Sequence, residues 1–316
     1  MAKLKNKFTT PHFQNGNEIT PTSLFAFTET TIARLKTLDK ARTAETYRTT
    51  FNSFKRFHQN RDLIISEIDS DLMMEYEAYL KRKGVSPNTS SFYMRNLRAI
   101  YNRAVEKGFT QQRFPFKNVY TGVDATLKRA VPLKTIKRIK EIDLSNNPQL
   151  EYARNMFLFS FYTRGMSFID MAFLRKKDLN SKILTYRRRK TGKQLFIKWE
   201  KCMREIIDKY DTSQSPYLLP IIRQDCSVDE RQQYIYAAHN INRSLKIIGE
   251  KLDIPITLTM YVSRHSWASI AKSKNIPLGI ISECMGHDSE TTTRIYLASL
   301  DTIATDKANR LILQSL

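Results

Sequence analysis

A chain of 316 residues with 41% hydrophobic side chains has room for about two domain cores, which excludes a wholly disordered protein. Its net charge of +21, from 52 Lys and Arg against 31 Asp and Glu, is far above what solubility needs and points to a polyanionic partner. The excess is shared along the chain. Residues 1–110 hold 18 basic and 11 acidic side chains and residues 111–316 hold 34 and 20, so both halves are candidates for contact with phosphate.

Cys202, Cys226 and Cys284 are odd in number and lack metal-ligand spacing, which reads as reduced thiols in a cytoplasmic protein. The amino terminus has no apolar run of a signal peptide, and no stretch approaches the roughly 20 apolar residues of a membrane span. The nine glycines form no phosphate-binding loop, and no His, Cys and Asp cluster has metal spacing. No cofactor and no metal are therefore expected.

Residues 1–21, polar and broken by Pro11, Gly16 and Pro21, read as a flexible arm. Four helical patterns follow over 22–110. The first starts at Leu24 behind a cap at Thr22 or Ser23, and the second carries Ala44, Tyr47, Phe51, Phe54 and His58. The third runs from a cap at Ser70 or Asp71 to Gly84, and the fourth from Ser86-Pro87 to Gly108. Together they predict a compact bundle whose aromatic stripes form its core. Residues 111–131, with Pro115 and Gly122, lose the helical period and read as a linker. A second domain is expected over 132–300. Its helices fall near 133–141, 149–163, 200–210, 231–251, 260–274, 277–285 and 291–298. Between the second and third, Ile183–Tyr186 and Leu195–Trp199 flank the turn Lys190-Thr191-Gly192-Lys193, a hairpin signal. Residues 301–316 look amphipathic and are expected as a tail helix for subunit contact. The fold class is thus mainly α with a small β-hairpin.

The chemistry concentrates in the last quarter. Arg264 and His265 follow Thr259-Met-Tyr-Val-Ser, and Gly286-His287 precedes Tyr296, nine residues on, across a Thr-rich stretch. An arginine clamps a phosphate bidentately, an imidazole holds or passes a proton near neutral pH, and a tyrosine can attack phosphorus and keep it as an ester. Each piece alone has a plain structural reading: a buried histidine in a capped helix, a residue after a helix stop, a core tyrosine, and for Lys190 a solvated charge run.

The order and spacing of the whole set resemble the tyrosine recombinases, which include phage integrases and Xer-type resolvases. The resemblance covers roughly residues 22–300 and is strongest over 259–296. It implies an amino-terminal helical core-binding bundle and a mixed α/β catalytic domain. It places Tyr296 as nucleophile, Arg264 on the phosphate, His287 as hydrogen-bond partner or proton acceptor, and Lys190 in a hairpin turn as general acid. The chain departs from the pattern twice. The first arginine of the family falls on Ser167 in Gly165-Met166-Ser167, with Asp170 at the acidic position after it. Three residues upstream, Arg164 would share a helical face with Ser167 and deliver a guanidinium there; Arg154, Arg175 and Arg187 are other donors. The second departure is Tyr261, at a position usually histidine, where a phenol still donates a hydrogen bond but accepts a proton poorly.

The resemblance implies cutting and rejoining of double-stranded DNA at specific sites through a 3′-phosphotyrosyl link, without ATP, for integration, excision or inversion. It also implies a monomer that becomes a homotetramer on DNA, with an accessory DNA-bending protein as a further partner and no membrane. A catalytically impaired DNA-binding relative and a topoisomerase of type IB chemistry are the alternatives.

Overall fold

The computed structural model describes residues 22–124, 129–297, 310 and 312–314; of Ile295 and Tyr296 it describes the backbone alone. The expected arm over 1–21 and nearly all of the expected tail helix, including Ile303, Ala304, Ala308 and Leu311, lie outside the described residues. The chain divides into two compact units, Met1–Ala125 and Thr126–Leu316.

The first unit is built on α1 (Leu24–Thr37), α2 (Ala41–Phe57), α3 (Ser70–Arg82) and α4 (Pro87–Glu106). Ser23 caps α1 by accepting the Ala26 N–H, and Asp69, one residue before the expected caps, does the same for α3 through Leu72. Pro87 opens α4, where its missing N–H costs nothing. The aromatic stripes turn inward: Phe51, Phe54, Tyr76 and Tyr101 are fully buried, and Phe54 meets Tyr76 edge to face. Residues 111–124 lack helix, as their Pro and Gly predict, but they are not detached. Phe116 and Val119 join the bundle core, and the Tyr101 hydroxyl donates to the Gln111 carbonyl.

The second unit surrounds α6 (Pro148–Tyr162), whose residues from Asn155 to Ser160 are all buried. A helix apolar nearly all round belongs at the centre of a core, and α6 packs against both α9 (Glu230–Lys251) and α10 (Met260–Ser273). Around them lie α5 (Leu133–Glu141), α7 (Phe168–Ala172), α8 (Lys201–Ile207), α11 (Leu278–Met285) and α12 (Glu290–Leu297). The hairpin is present as β2 (Ile183–Arg187) and β3 (Gln194–Lys198), antiparallel with Leu184 opposite Ile197 and Tyr186 opposite Leu195. A two-residue strand β1 (Leu179–Asn180) pairs with β2 and makes a three-stranded sheet. Leu184, Tyr186, Leu195 and Ile197 face the core while Ile183 and Phe196 face out, the period of two that a half-covered sheet requires.

Among the described residues, no helix is long and apolar enough to cross a membrane.

Candidate active site in the carboxy-terminal unit

Arg264 lies in the second turn of α10 and is only 4% exposed. The helix is fixed from below: the Ser263 hydroxyl donates to the Phe157 carbonyl of α6 at 3.0 Å. A buried guanidinium needs acceptors. Arg264 donates through Nη1 to the Gly165 carbonyl at 2.7 Å and through Nη2 to the Met285 carbonyl at 2.6 Å. Nη2 also lies 3.1 Å from His287 Nε2.

That contact settles the histidine's state. A guanidinium has donors only, so Nε2 accepts, and the ring proton sits on Nδ1 and is donated to the Thr293 hydroxyl at 2.7 Å. His287 is therefore a neutral, oriented imidazole. Burial, followed by the positive charges of Arg264, Arg188, Lys190 and Lys193, lowers its pKa from 6.5 to about 4. Between those values the unfolded chain binds a proton that the folded chain refuses. Stability thus falls as pH drops through that window and is unaffected by this group above it. Native protein should lose about 2–3 kcal/mol more stability between pH 7 and pH 4.5 than a His287→Gln variant. Equal losses in thermal or denaturant unfolding would show that the ring is not held neutral.

A second guanidinium stands beside the first, and it is one the sequence reading did not select. Arg188, 7% exposed, follows β2 and donates through Nη1 to the Gly286 carbonyl at 2.6 Å. Consecutive carbonyls at the end of α11 thus each hold an arginine, Met285 holding Arg264 and Gly286 holding Arg188. The buried Nε of Arg188 makes no hydrogen bond among the described residues. The Thr191 hydroxyl also reaches the Gly286 carbonyl, at 3.2 Å, which ties the hairpin turn carrying Lys190 to the same point. The signal for Arg188 was in the sequence: the inward period Leu184, Tyr186 extends to position 188.

Two glycines make this approach feasible. Gly286 ends α11 in the left-handed conformation, and a Cβ there would lie 2.9 Å from Leu195 and 3.1 Å from Arg188. Gly165, at φ +73°, would put a Cβ 2.8 Å from the Arg264 Cα.

The other expected residues are placed as follows. Arg164 does not share a helix with Ser167. α6 ends at Tyr162 and α7 begins at Phe168, and between them Arg164 has φ +60° and Gly165 φ +73°. The helical spacing argument therefore fails, and the Arg164 Nη1 donates to the Phe196 carbonyl on β3 at 3.2 Å. Arg154 is engaged by the Ile142 carbonyl and Glu151, and Arg187 by the Gly192 carbonyl. Arg175 opens the turn before β1, its backbone N–H held by Asp178. Ser167 stands just before α7 and, rather than capping it with its side chain, donates its hydroxyl to Asp170. Tyr261, 58% exposed, sets its ring edge-on to His265 at 4.4 Å. Tyr296 falls in the last turn of α12. Among the described residues no cluster of His, Cys, Asp and Glu has the arrangement of a metal site.

A family model described as the phage integrase SAM-like domain matches residues 23–119. The tyrosine recombinase XerA of Pyrococcus furiosus is 25% identical over 228 residues, covering 71% of this chain and 74% of that protein. The tyrosine recombinase XerD of Staphylococcus epidermidis is 23% identical over 263 residues, covering 79% and 85%. In fold, the chain is similar to a lambda integrase in a dimer bound to a COC′ core site, with TM-score 0.66 and 13% identity, covering 87% of this chain and 77% of that one.

Proposed function

The chain belongs to the tyrosine recombinases, and on that premise we propose how its own residues perform the cutting and rejoining of DNA. The reaction is site-specific recombination, an exchange of strands between DNA sites. The observation that carries the assignment of the site is the pair of buried guanidiniums on adjacent carbonyls, flanking a neutral imidazole.

A phosphodiester resists attack because its non-bridging oxygens are negative, and the pentacovalent state concentrates that charge further. Arg264 and Arg188 supply fixed positive charge where it develops. The Nε of Arg188 spends no hydrogen bond on the described residues, which leaves that donor uncommitted within the protein. Tyr296 attacks phosphorus, forming a P–O bond to its phenol oxygen as the P–O5′ bond breaks. When the phosphate draws the Arg264 protons to itself, His287 Nε2 is released to accept the tyrosine proton. Lys190, on the turn tied to Gly286 and with its charge felt at His287, protonates the departing 5′-oxygen. The phosphoester is conserved as a 3′-phosphotyrosyl link, so attack by a new 5′-hydroxyl reverses the steps and rejoins the strand. Atoms and charge balance with no further reactant.

The partner is double-stranded DNA, which the charge of +21 suits. Strand exchange between two duplexes requires four cleavages, so the active assembly is a homotetramer on DNA.

The test uses a nicked duplex whose cleaved fragment diffuses away and traps the covalent complex. The native protein should accumulate a DNA adduct that survives denaturation. Tyr296→Phe should give none and bind DNA with unchanged affinity. An adduct formed by the Tyr296→Phe protein would remove Tyr296 from the mechanism.

A further inference from the structure

The Arg188 assignment leaves Ser167 and Asp170 with no direct part in the chemistry, yet they form one of the better-made hydrogen-bond sets of the unit. Asp170 is 4% exposed, and its two oxygens are used separately. Oδ2 accepts the Ser167 hydroxyl at 2.6 Å, and Oδ1 accepts the Arg189 backbone N–H at 2.9 Å. Arg189 is the residue between Arg188 and Lys190. Its guanidinium stacks over Phe173, 4.0 Å from the ring centroid. The turn is closed by the Gly192 N–H donating to the Arg188 carbonyl at 2.7 Å and the Arg188 N–H to the Lys193 carbonyl at 2.8 Å, and the Arg188 guanidinium and the Thr191 hydroxyl tie it to the Gly286 carbonyl. Asp170 adds a tie at the Arg189 N–H, so that Lys190 is flanked by a held residue on each side, Arg189 and Thr191.

We propose that Ser167 and Asp170 form a positioning clamp on the hairpin turn that directs Lys190, the residue after the gripped Arg189, at the departing 5′-oxygen, while Arg188 is held by the Gly286 carbonyl. A buried carboxylate oxygen needs a donor. Ser167, three residues ahead on α7, saturates Oδ2 with a short hydroxyl and leaves Oδ1 to the turn. The serine at the position where the resemblance expects an arginine thus has a part of its own: it completes the clamp, while the guanidinium comes from Arg188 on the Gly286 carbonyl. Asp170 is a positioning residue and acts through Lys190. This inference rests on the assignment of Lys190 as general acid in the proposed mechanism.

The experiment compares two scissile linkages, the ordinary phosphodiester and one with sulfur in place of the bridging 5′-oxygen. A thiolate leaves without being protonated, so the sulfur substrate removes the need for Lys190. Asp170→Ala should slow adduct formation about 10²-fold on the phosphodiester, the cost of roughly an ångström of misplacement. On the sulfur substrate most of that loss should be recovered. Ser167→Ala, a lesser change that spares folding, should slow the phosphodiester reaction about tenfold with near-native rate on sulfur. Asp170→Asn, which keeps an acceptor for Arg189 and a partner for Ser167, should stay close to native on both. Equal defects on both linkages, or full activity of Asp170→Ala and Ser167→Ala on the phosphodiester, would overturn the clamp alone. A native protein that forms no adduct with either substrate would overturn the proposed mechanism and the clamp together.

Discussion

Arg188→Ala should lower the rate of covalent adduct formation by about 10²–10³, the usual loss when one donor aimed at transition-state charge is removed. The side chain is buried against the Gly286 carbonyl, next to the carbonyl that holds Arg264, so its charge is fixed beside that of Arg264. The reason for the loss can be isolated. A methylphosphonate at the scissile position carries no negative non-bridging oxygen and has less need of a second guanidinium. On that substrate the Arg188→Ala defect should shrink to within about tenfold. Arg164→Ala is the informative comparison. Its guanidinium bonds the Phe196 carbonyl, and its removal should leave the rate within about threefold. A large loss at Arg164 with little at Arg188 would reverse the assignment.

Gly165→Ala should do the most damage for the fewest added atoms. At φ +73° an L-residue is strained by about 1–2 kcal/mol. The new Cβ would also meet the Arg264 Cα at 2.8 Å, a backbone atom that cannot turn aside. Together these predict a destabilisation of about 2–4 kcal/mol, read as a fall in the unfolding midpoint of the carboxy-terminal unit. They also predict a loss of cleavage of about 10²-fold as Arg264 shifts from the Gly165 carbonyl. Gly84, at φ +70° with nothing within 4 Å of its added Cβ, separates strain from collision. Gly84→Ala should cost only about 1 kcal/mol. If both substitutions cost the same, the close approach of Gly165 to Arg264 is not what the site depends on.

Much of this was legible before any coordinates. The four helices of the first unit announce themselves through a three-or-four spacing of large aromatics and through Ser, Asp and Pro at their starts, because a helix buries one stripe and must satisfy its first N–H groups. The hairpin was legible from β-branched and aromatic alternation on either side of a Gly turn. What escaped was short or non-local. A two-residue strand and the five-residue α7 carry too few residues to show a period. Residues 111–124 look like a linker because they lack a period, yet two apolar side chains suffice to pin them to the bundle. The replacement guanidinium was sought by helical spacing at Arg164, across a segment that Gly165 breaks, when the strand's period of two already pointed Arg188 inward. Periodicity must be counted in the element that a residue belongs to, and a single left-handed glycine is enough to change that element.

The measurement that bears most directly on the account is the location of the DNA after cleavage. The trapped adduct would be digested with protease and nuclease, and the modified peptide identified by mass spectrometry. The account predicts a nucleotide joined through its 3′-phosphate to Tyr296, in the peptide that follows Arg294. A nucleotide on Tyr261 or on any other side chain, or a link through a 5′-phosphate, would contradict it.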